Sequence, residues 1–273
     1  MLRGDGAGRR PDLGGYAIDC EIGRGGSATV YRAHHPDAPQ RAVALKVLAA
    51  DRRGPADRAR LEREFEFARV LDHRHIIAMY DRGPDWLAMQ FIDGGNATRL
   101  RAAETALTAL VQIAGALDYT HRHGVVHCDV KPANILLARD FATAGAMLID
   151  FGVAHAVVDD VGRRPDRQQV SLPYTAPELL LGQPPSAASD EYALACTAVE
   201  LLTGEPPFGA DGPAQLVDAH LHRLPPPTAR GFDPAARAFD MVVERGMAKI
   251  PEMRYRSCGE LVAHIARALP PQR

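Results

Sequence analysis

HCDVKPANILL occupies residues 127–137 of this chain and holds its densest group of reactive side chains. Asp129, Lys131 and Asn134 place a base, a cation and a neutral oxygen ligand within one loop. Asp150 follows at the end of the next apolar strand, directly before Phe-Gly. Mg²⁺ binds oxygen ligands, typically one or two carboxylates together with substrate phosphates. Each of these residues alone is typical of a capped turn, but their order and spacing together predict a site for Mg²⁺ and phosphate.

A glycine-rich turn, GRGGSA, covers residues 23–28. Glycines let backbone N–H groups approach phosphate oxygens because no Cβ stands in the way. A dinucleotide-binding loop would be followed by a helix and an acidic residue, whereas β-type residues follow here. The pattern predicts a hairpin, and by itself it fits a structural turn as well as a phosphate cover. No lysine in the chain follows a glycine, which excludes a Walker-type P-loop.

Lys46 lies inside an apolar run, VALKV, at residues 43–47. A lone lysine in such a run is typical of an edge strand or of a side chain that reaches solvent. The helix predicted next carries Glu64 on its apolar face, while Glu66 points to the opposite side. A carboxylate on an apolar face is costly unless it is paired. We therefore expect Lys46 to be the partner of Glu64.

Composition excludes several classes of protein. The chain has 273 residues and a net charge of −2, so no broad basic surface favours nucleic acid or an anionic membrane. Its four cysteines lie far apart without a CxxC pair, which argues against a zinc site or a disulfide framework. The N-terminus lacks the apolar core of a signal peptide, and no uncharged stretch is long enough to cross a bilayer. We expect a cytoplasmic chain with no membrane segment and no nucleic-acid partner.

Lysine is rare, since only Lys46, Lys131 and Lys249 occur among the 32 lysines and arginines. A nucleotide bias against lysine codons explains the scarcity, and two of the three lysines lie in the motifs above. Lys249 precedes a Pro-Glu-Met-Arg turn and is expected at the surface.

The pattern along the chain predicts a β-rich part followed by a helical part. Five strand-like runs and one helix precede Asp93, and long amphipathic helices with two short apolar strands follow it. We expect a flexible tail at residues 1–12, a small β-rich lobe at 13–93, a helical lobe at 94–269 and a short tail at 270–273.

Together the motifs resemble the protein kinase superfamily, specifically its bacterial serine/threonine branch. The resemblance covers the chain from Leu13 to Leu269. It rests on the GxGxx[GA] loop, the VALK strand, the HxDxKPxN loop, Asp-Phe-Gly and the Ala-Pro-Glu segment at 176–178. It implies the two-lobed protein kinase fold, an α+β fold with a β-rich N-lobe containing one key helix and a larger, mainly helical C-lobe.

The resemblance also implies roles for the reactive residues. Lys46 would hold the α- and β-phosphates of ATP and pair with Glu64. Asp129 would orient the attacking hydroxyl and accept its proton, and Lys131 would neutralise the transferring phosphoryl group. The expected metal ligands for Mg²⁺, with Mn²⁺ as an alternative, are Asn134 and Asp150.

A second set of residues is implied for binding the nucleotide. The loop glycines would cover the phosphates, four apolar side chains would sandwich adenine, and a hinge after the fifth strand would supply backbone groups and a ribose contact. In that order, these are Gly23, Gly25 and Gly26; Ile22, Val30, Ala44 and Leu136; and Met89, Gln90, Ile92 and Asp93.

Three further positions match supporting features of the family. Glu178 and Arg254 resemble a buried ion pair that braces the lower lobe, and Asp190 resembles a carboxylate beneath the catalytic loop. Ser171 stands at the threonine of the family's GTxxYxxPE segment, where its hydroxyl is expected to bond the catalytic aspartate and lysine.

Cys128 departs from the pattern of kinases that are regulated by loop phosphorylation. Those kinases carry an arginine before the catalytic aspartate, and cysteine cannot pair with a phosphate. Residues 153–170 contain no Ser, Thr or Tyr. The arginine that would bind a phosphate and the hydroxyl residue that would carry it are therefore both missing. Independent drift is the alternative, but we hypothesise that phosphorylation within 153–170 does not regulate this kinase, and that Asp159 and Asp160 pair with arginines there. For Cys128, a small buried thiol is favoured over a redox role.

The sequence thus predicts an ATP-dependent protein serine/threonine kinase that acts on protein Ser and Thr hydroxyls. Two alternatives stay open, a nucleotide-binding pseudokinase that acts as a scaffold and a small-molecule phosphotransferase of the same fold. The sequence leaves open the substrate, the activating signal, a homodimer and a longer membrane receptor around this domain.

Overall fold

The computed structural model describes residues 13–100, 102–156, 171–209, 212–228 and 234–269. The described chain forms two compact units. One contains the residues up to Arg69 and Ala78–Phe91, and the other contains Val70–Ile77 and the chain from Ile92 onward. Both tails and most of the segment 153–170 lie outside the described residues.

The first unit is a five-stranded antiparallel sheet with one helix. The strand order is β1-β2-β3-β5-β4. The bounds are β1 Ala17–Arg24, β2 Ala28–His35, β3 Ala38–Leu48, α1 Pro55–Arg69, β4 Met79–Arg82 and β5 Trp86–Gln90. The glycine-rich turn joins β1 to β2, so the predicted hairpin is confirmed.

The two faces of this sheet differ in what they carry. A buried apolar cluster that includes Leu45 and Trp86 fills one face, against which Tyr16 packs. Cross-strand partners share a face, and side chains alternate along each strand. Lys46 follows Leu45 in β3, so the predicted phosphate-binding lysine lies on the face opposite that cluster. Its cross-strand partner Val30 lies on the same face as Lys46.

The second unit is mainly helical. Its bounds are α2 Ala103–Arg122, β6 Val125–Val126, β7 Ile135–Leu137, α3 Phe141–Ala144, β8 Ala146–Leu148, β9 His155–Ala156, α4 Pro177–Leu180, α5 Ala187–Thr203, α6 Pro213–His222, α7 Pro234–Gly246 and α8 Cys258–Ala268. Two antiparallel pairs, β6 with β9 and β7 with β8, frame the loops that carry the predicted catalytic residues. Helix α5 is buried along most of its length and packs against α2. Among the described residues, no helix has both the length and the apolar character needed to cross a membrane.

The division of the chain differs from the boundary that the sequence predicts at residue 93. Val70–Ile77 groups with the helical unit because it hydrogen-bonds to β8. Ile77 N donates to Leu148 O at 3.0 Å, Leu148 N donates to His75 O at 2.9 Å, and the His75 ring donates to Ala146 O at 2.8 Å. Such long-range pairing has no local signal in the sequence.

Candidate active site

Lys46 and Glu64 form an ion pair in the first unit, as the sequence predicts. Lys46 Nζ lies 2.8 Å and 2.7 Å from the two carboxylate oxygens of Glu64. The Glu64 side chain is only 3% exposed and that of Lys46 17%, so neither charge is well hydrated. Glu66, on the other side of α1, pairs instead with the exposed Arg69. A buried carboxylate is tolerated when it is paired, and here the pair fixes the position of the Lys46 ammonium group.

The glycine turn is tight and open on its outer side. Gly25 N donates to Ala28 O at 2.9 Å, which closes the turn. A Cβ built on Gly23 or Gly26 would meet no atom within 4 Å, and neither residue has a positive φ. Neither the packing nor the backbone conformation therefore requires glycine at these two positions. The clearance fits a loop whose backbone N–H groups lie directly against a ligand such as phosphate.

The residues predicted to bind the nucleotide fall on both units. Ala44 is paired with Met89, and Ile22 at the end of β1 is 45% exposed. In the second unit, Asp93 accepts a hydrogen bond from Arg139 N at 3.1 Å. The first unit holds Ile22, Gly23, Gly25, Gly26, Val30, Ala44, Lys46, Met89 and Gln90, and the second holds Ile92, Asp93 and Leu136. Within the first unit, the strand register brings Val30, Ala44, Lys46 and Met89 onto one face of the sheet.

Asp190 of α5 positions the loop between β6 and β7. Its carboxylate accepts hydrogen bonds from His127 N at 2.7 Å and Cys128 N at 2.8 Å, and from the His121 ring at 2.8 Å. Burial acts to raise the pKa of Asp190, but these hydrogen bonds outweigh burial and hold the pKa below its ordinary value. Cys128 has a φ of 66°, a left-handed conformation that is uncommon outside glycine. The buried carboxylate thus holds a strained backbone directly before Asp129.

Asp129 lies in a closed cluster of hydrogen bonds. Its Oδ2 accepts from Lys131 Nζ at 2.7 Å and from Asn134 Nδ2 at 2.8 Å, and its Oδ1 accepts from Ser171 Oγ at 2.8 Å. Lys131 Nζ also donates to Ser171 Oγ at 2.6 Å. Both contacts expected of the Ser171 hydroxyl are therefore present. The cluster fixes the orientation of a carboxylate that could accept a proton.

Asn134 and Asp150, the predicted metal ligands, are joined through the backbone. Asn134 O accepts from Ile149 N at 3.0 Å, next to Asp150, whose φ is 69°. The Nδ2 group of Asn134 uses both of its hydrogens on Asp129, which leaves Oδ1 as the acceptor. Asn134 directly precedes β7 and Asp150 follows the paired strand β8. A neutral oxygen and a carboxylate fit the ligands that Mg²⁺ prefers when phosphates complete its coordination.

Glu178 and Arg254 form the buried pair that the resemblance implies. Arg254 Nη1 and Nη2 each lie 2.8 Å from one oxygen of Glu178, and the Arg254 side chain has no exposed surface. Burial acts to raise the pKa of Glu178, but the Arg254 guanidinium outweighs it and lowers the pKa. The bidentate pair ties the start of α4 to the turn before α8.

The sequence does not predict the environment of two ionisable groups of the second unit, Lys249 and Glu191. Lys249, expected at the surface, is instead half-buried against aromatic rings. Glu191 of α5 is buried, and burial raises its pKa to about 8. Neither has a motif around it, and their neighbours are distant in sequence.

A model of the protein kinase domain matches residues 16–261 of the chain. The chain belongs to the protein kinase family. Serine/threonine-protein kinase PknJ of Mycobacterium tuberculosis is 44% identical over 269 residues, covering 93% of this kinase domain and 45% of PknJ. PknF of the same organism is 39% identical over 270 residues, covering 93% and 56% respectively.

Solved structures agree with this assignment. The crystal structure of the Mycobacterium tuberculosis PknI kinase domain is 31% identical, with a TM-score of 0.68 over 94% of this chain and 97% of that one. The similarity confirms the predicted kinase fold, and the curated relatives PknJ and PknF are serine/threonine-protein kinases. The chain spans about half the length of the curated relatives it matches.

Proposed function

We propose that this domain transfers the γ-phosphoryl group of Mg-ATP to serine and threonine hydroxyls of protein substrates. The observation that carries the proposal is the closed cluster around Asp129, in which Lys131, Asn134 and Ser171 all contact one carboxylate. A pseudokinase commonly lacks one of its reactive groups, whereas this chain retains them all. The Ala-Pro-Glu segment and the helices after it, which build a peptide-docking surface in protein kinases, argue against a small-molecule substrate.

The proposed mechanism assigns one task to each residue of the cluster. Asp129 orients the attacking hydroxyl and accepts its proton, and Ser171 and Lys131 hold the carboxylate in position. Lys131 also stabilises negative charge on the transferring group. Asn134 and Asp150 would hold Mg²⁺ or Mn²⁺, and the ion would supply positive charge that neutralises the phosphates.

The residues that the resemblance implies for nucleotide binding are proposed to have those roles. Lys46, fixed by Glu64, contacts the α- and β-phosphates, and the open backbone at Gly23 and Gly26 covers them. The apolar and hinge residues named in the sequence analysis bind adenine and ribose, Met89 lining the back of that site. We also propose that residues 13–93 and 94–269 are the N-lobe and the C-lobe.

A cytoplasmic location is proposed for the kinase domain. No disulfide joins any of the four cysteines, all of which lie in the described part of the chain, and Cys128, Cys196 and Cys258 are buried thiols. Cysteines without disulfides are typical of proteins in a reducing compartment. The burial of Cys128 also agrees with a structural rather than a redox role for its thiol.

Most of the segment 153–170 lies outside the described residues, so regulation without phosphorylation there stays a prediction.

The proposal is tested by incubating the domain with Mg-ATP and casein and measuring incorporated phosphate. Asp129→Asn and Lys46→Met are each expected to lower the rate by roughly 10²–10⁴-fold, because one removes the base and the other a phosphate contact. Asp37→Asn, a change of an exposed turn carboxylate, is the matched control and should retain wild-type activity. Equal incorporation in all four proteins would falsify the proposal. ATP binding by calorimetry without transfer by the wild type would instead support the pseudokinase alternative.

A further inference from the structure

Asp118, His121 and Cys258 bring three potential metal ligands together where α2 packs against α8. One carboxylate oxygen, one imidazole nitrogen and the Cys258 Sγ all lie within 4.8 Å of one another. Asp118 and His121 are about one helical turn apart on α2, so they lie on the same face of that helix. Cys258 begins α8, 140 residues after Asp118. Within the described part of the chain, no other group of three His, Cys, Asp or Glu side chains is close enough to share an ion.

The Cys258 thiol is enclosed by the protein and lies near carboxylates. The residue is only 1% exposed, and within the described chain no hydrogen bond is found for its Sγ. Burial, followed by the charges of Asp118 and Asp190, raises the pKa of this thiol, so it is protonated when no metal is bound. The negative charges that oppose a thiolate favour a cation at the same point.

His121 is oriented in the way that is typical of metal-binding histidines. Its Nε2 lies 2.8 Å from Oδ2 of Asp190. A histidine that binds a metal through one ring nitrogen usually donates its other N–H to a carboxylate or a carbonyl. Asp190 supplies that carboxylate, which leaves the lone pair of Nδ1 for an ion. Because Asp190 also accepts from His127 N and Cys128 N, His121 connects the three-residue cluster to the loop before Asp129.

Asp118 is fixed by the start of α8 and keeps capacity for an ion. Its Oδ1 accepts from Cys258 N at 2.9 Å and its Oδ2 from Gly259 N at 3.0 Å. A carboxylate has about four lone-pair sites, so each oxygen retains one for a second interaction. A Cβ on Gly259 would lie 2.8 Å from Oδ2, so glycine allows this close approach. Capping of α8 explains the carboxylate, but it accounts for neither the histidine nor the thiol beside it.

The donor set and its spacing fit Zn²⁺. Zinc binds thiolate, imidazole and carboxylate ligands at about 2.3, 2.0–2.1 and 2.0–2.2 Å, and tetrahedral geometry then places the ligand atoms roughly 3.4–3.6 Å apart. The longest separation in the cluster therefore has to contract by at most roughly 1.4 Å from 4.8 Å. Asp118 and His121 are only partly buried, so their side chains can adjust and water can reach a fourth position. Mg²⁺ and Ca²⁺ prefer sites made of oxygen ligands and fit less well.

We propose that Asp118, His121 and Cys258 form a zinc site that joins α2 to α8. Zn²⁺ binds the Cys258 thiolate, a ring nitrogen of His121 and an oxygen of Asp118, and water completes the coordination. The thiol proton passes to solvent, so one proton is released for each ion bound. The chain lacks a CxxC pair, and the sequence therefore argues against zinc. Ligands that come from two helices distant in sequence leave no such local pattern.

The test titrates Zn²⁺ into the chelator-treated, metal-free domain. Neither nucleotide nor magnesium is added, so the result does not depend on the proposed kinase activity. Calorimetry should show one saturable equivalent of Zn²⁺, and zinc should raise the thermal unfolding midpoint because it binds the folded state. With Co²⁺ as the probe, we expect the visible bands of tetrahedral cobalt and a thiolate-to-cobalt charge-transfer band in the near ultraviolet.

Two variants each remove one ligand, Cys258→Ala and Asp118→Asn. Both should weaken zinc binding at least tenfold, because even the loss of a group that only orients a ligand costs ten- to a hundredfold in affinity. Cys258→Ala should also lose the charge-transfer band, whereas Asp118→Asn should retain it. Circular dichroism of each metal-free variant checks that it is folded. If Cys258→Ala does not fold, the affinity of Asp118→Asn and the wild-type cobalt spectrum decide the outcome.

Three further variants are matched controls that should bind zinc as the wild type does. Cys20→Ala removes the exposed thiol, Cys196→Ala removes another buried thiol, and Asp150→Asn removes a proposed magnesium ligand. Loss of zinc binding or of the thiolate band in any of these, with both retained in Cys258→Ala, would overturn the proposal. No saturable zinc binding by the wild type, or a cobalt complex without the thiolate band, would do so as well.

Discussion

Replacing Ser171 with alanine isolates the contribution of one hydroxyl to the catalytic cluster. The hydroxyl donates to Asp129 Oδ1 at 2.8 Å and accepts from Lys131 Nζ at 2.6 Å, so it links the proposed base to the proposed phosphate-neutralising cation. A hydrogen bond to a charged group contributes about 1.5–3 kcal/mol. If that contribution is lost from the positioning of the base, kcat falls by roughly ten- to hundredfold.

The assay is steady-state phosphorylation of a protein acceptor, with KM for ATP measured in parallel. Ser171→Ala should lower kcat and leave KM for ATP unchanged, because Ser171 contacts Asp129 and Lys131, which are assigned to the transfer step, and none of the residues proposed to bind adenine, ribose or the α- and β-phosphates. Ser171→Thr keeps the hydroxyl and serves as the matched control, with activity close to wild type. Thermal unfolding of each variant separates a catalytic effect from a loss of folded protein. A kcat for Ser171→Ala within twofold of wild type would refute the reasoning.

Three further substitutions test the framework beneath the site. Glu178→Gln leaves Arg254 buried without its counter-charge and should cost about 3–5 kcal/mol in urea unfolding at pH 7; a change below about 1 kcal/mol would contradict this. Glu191 has a folded-state pKa of about 8, above its ordinary 4.5, so its contribution to stability declines as pH rises between these values. The unfolding free energies at pH 5 and pH 8.5 should therefore differ less in Glu191→Gln than in the wild type. The same pH dependence in both proteins would show that Glu191 does not titrate in this way. A Cβ in Gly94→Ala would collide with the backbone at Leu137, so this variant should lose about 1–3 kcal/mol of stability, and an unchanged unfolding midpoint would refute the clash.

The ion pair of Lys46 with Glu64 was predictable because its signal is local. Helical periodicity places Glu64 on the buried face of α1, and burial of a carboxylate demands a cation. The sequence offers one unassigned cation in a neighbouring apolar strand. The catalytic loop was predictable for a similar reason, since Asp129, Lys131 and Asn134 lie within one short motif.

Lys249 and Glu191 were not predictable because their environments are assembled from distant parts of the chain. The ring nearest to Lys249 belongs to Phe208, and its hydrogen-bond acceptor lies on α6. Glu191 accepts from Tyr255 N at 2.9 Å, across a separation of 64 residues. Without a local pattern, a lysine before a turn is expected at the surface, and here tertiary packing overrides that expectation.

The pairing of Val70–Ile77 with β8 determines how this protein can be divided. A fragment that ends at Phe91 would carry this segment without Ala146 and Leu148, leaving three backbone or imidazole hydrogen bonds unmade. A fragment that begins at Ile92 would expose the matching edge of β8. Truncation at the apparent lobe boundary therefore damages both products. To express the two units separately, Val70–Ile77 would be fused to the chain that begins at Ile92. In the other unit, a designed turn would join Arg69 to Ala78.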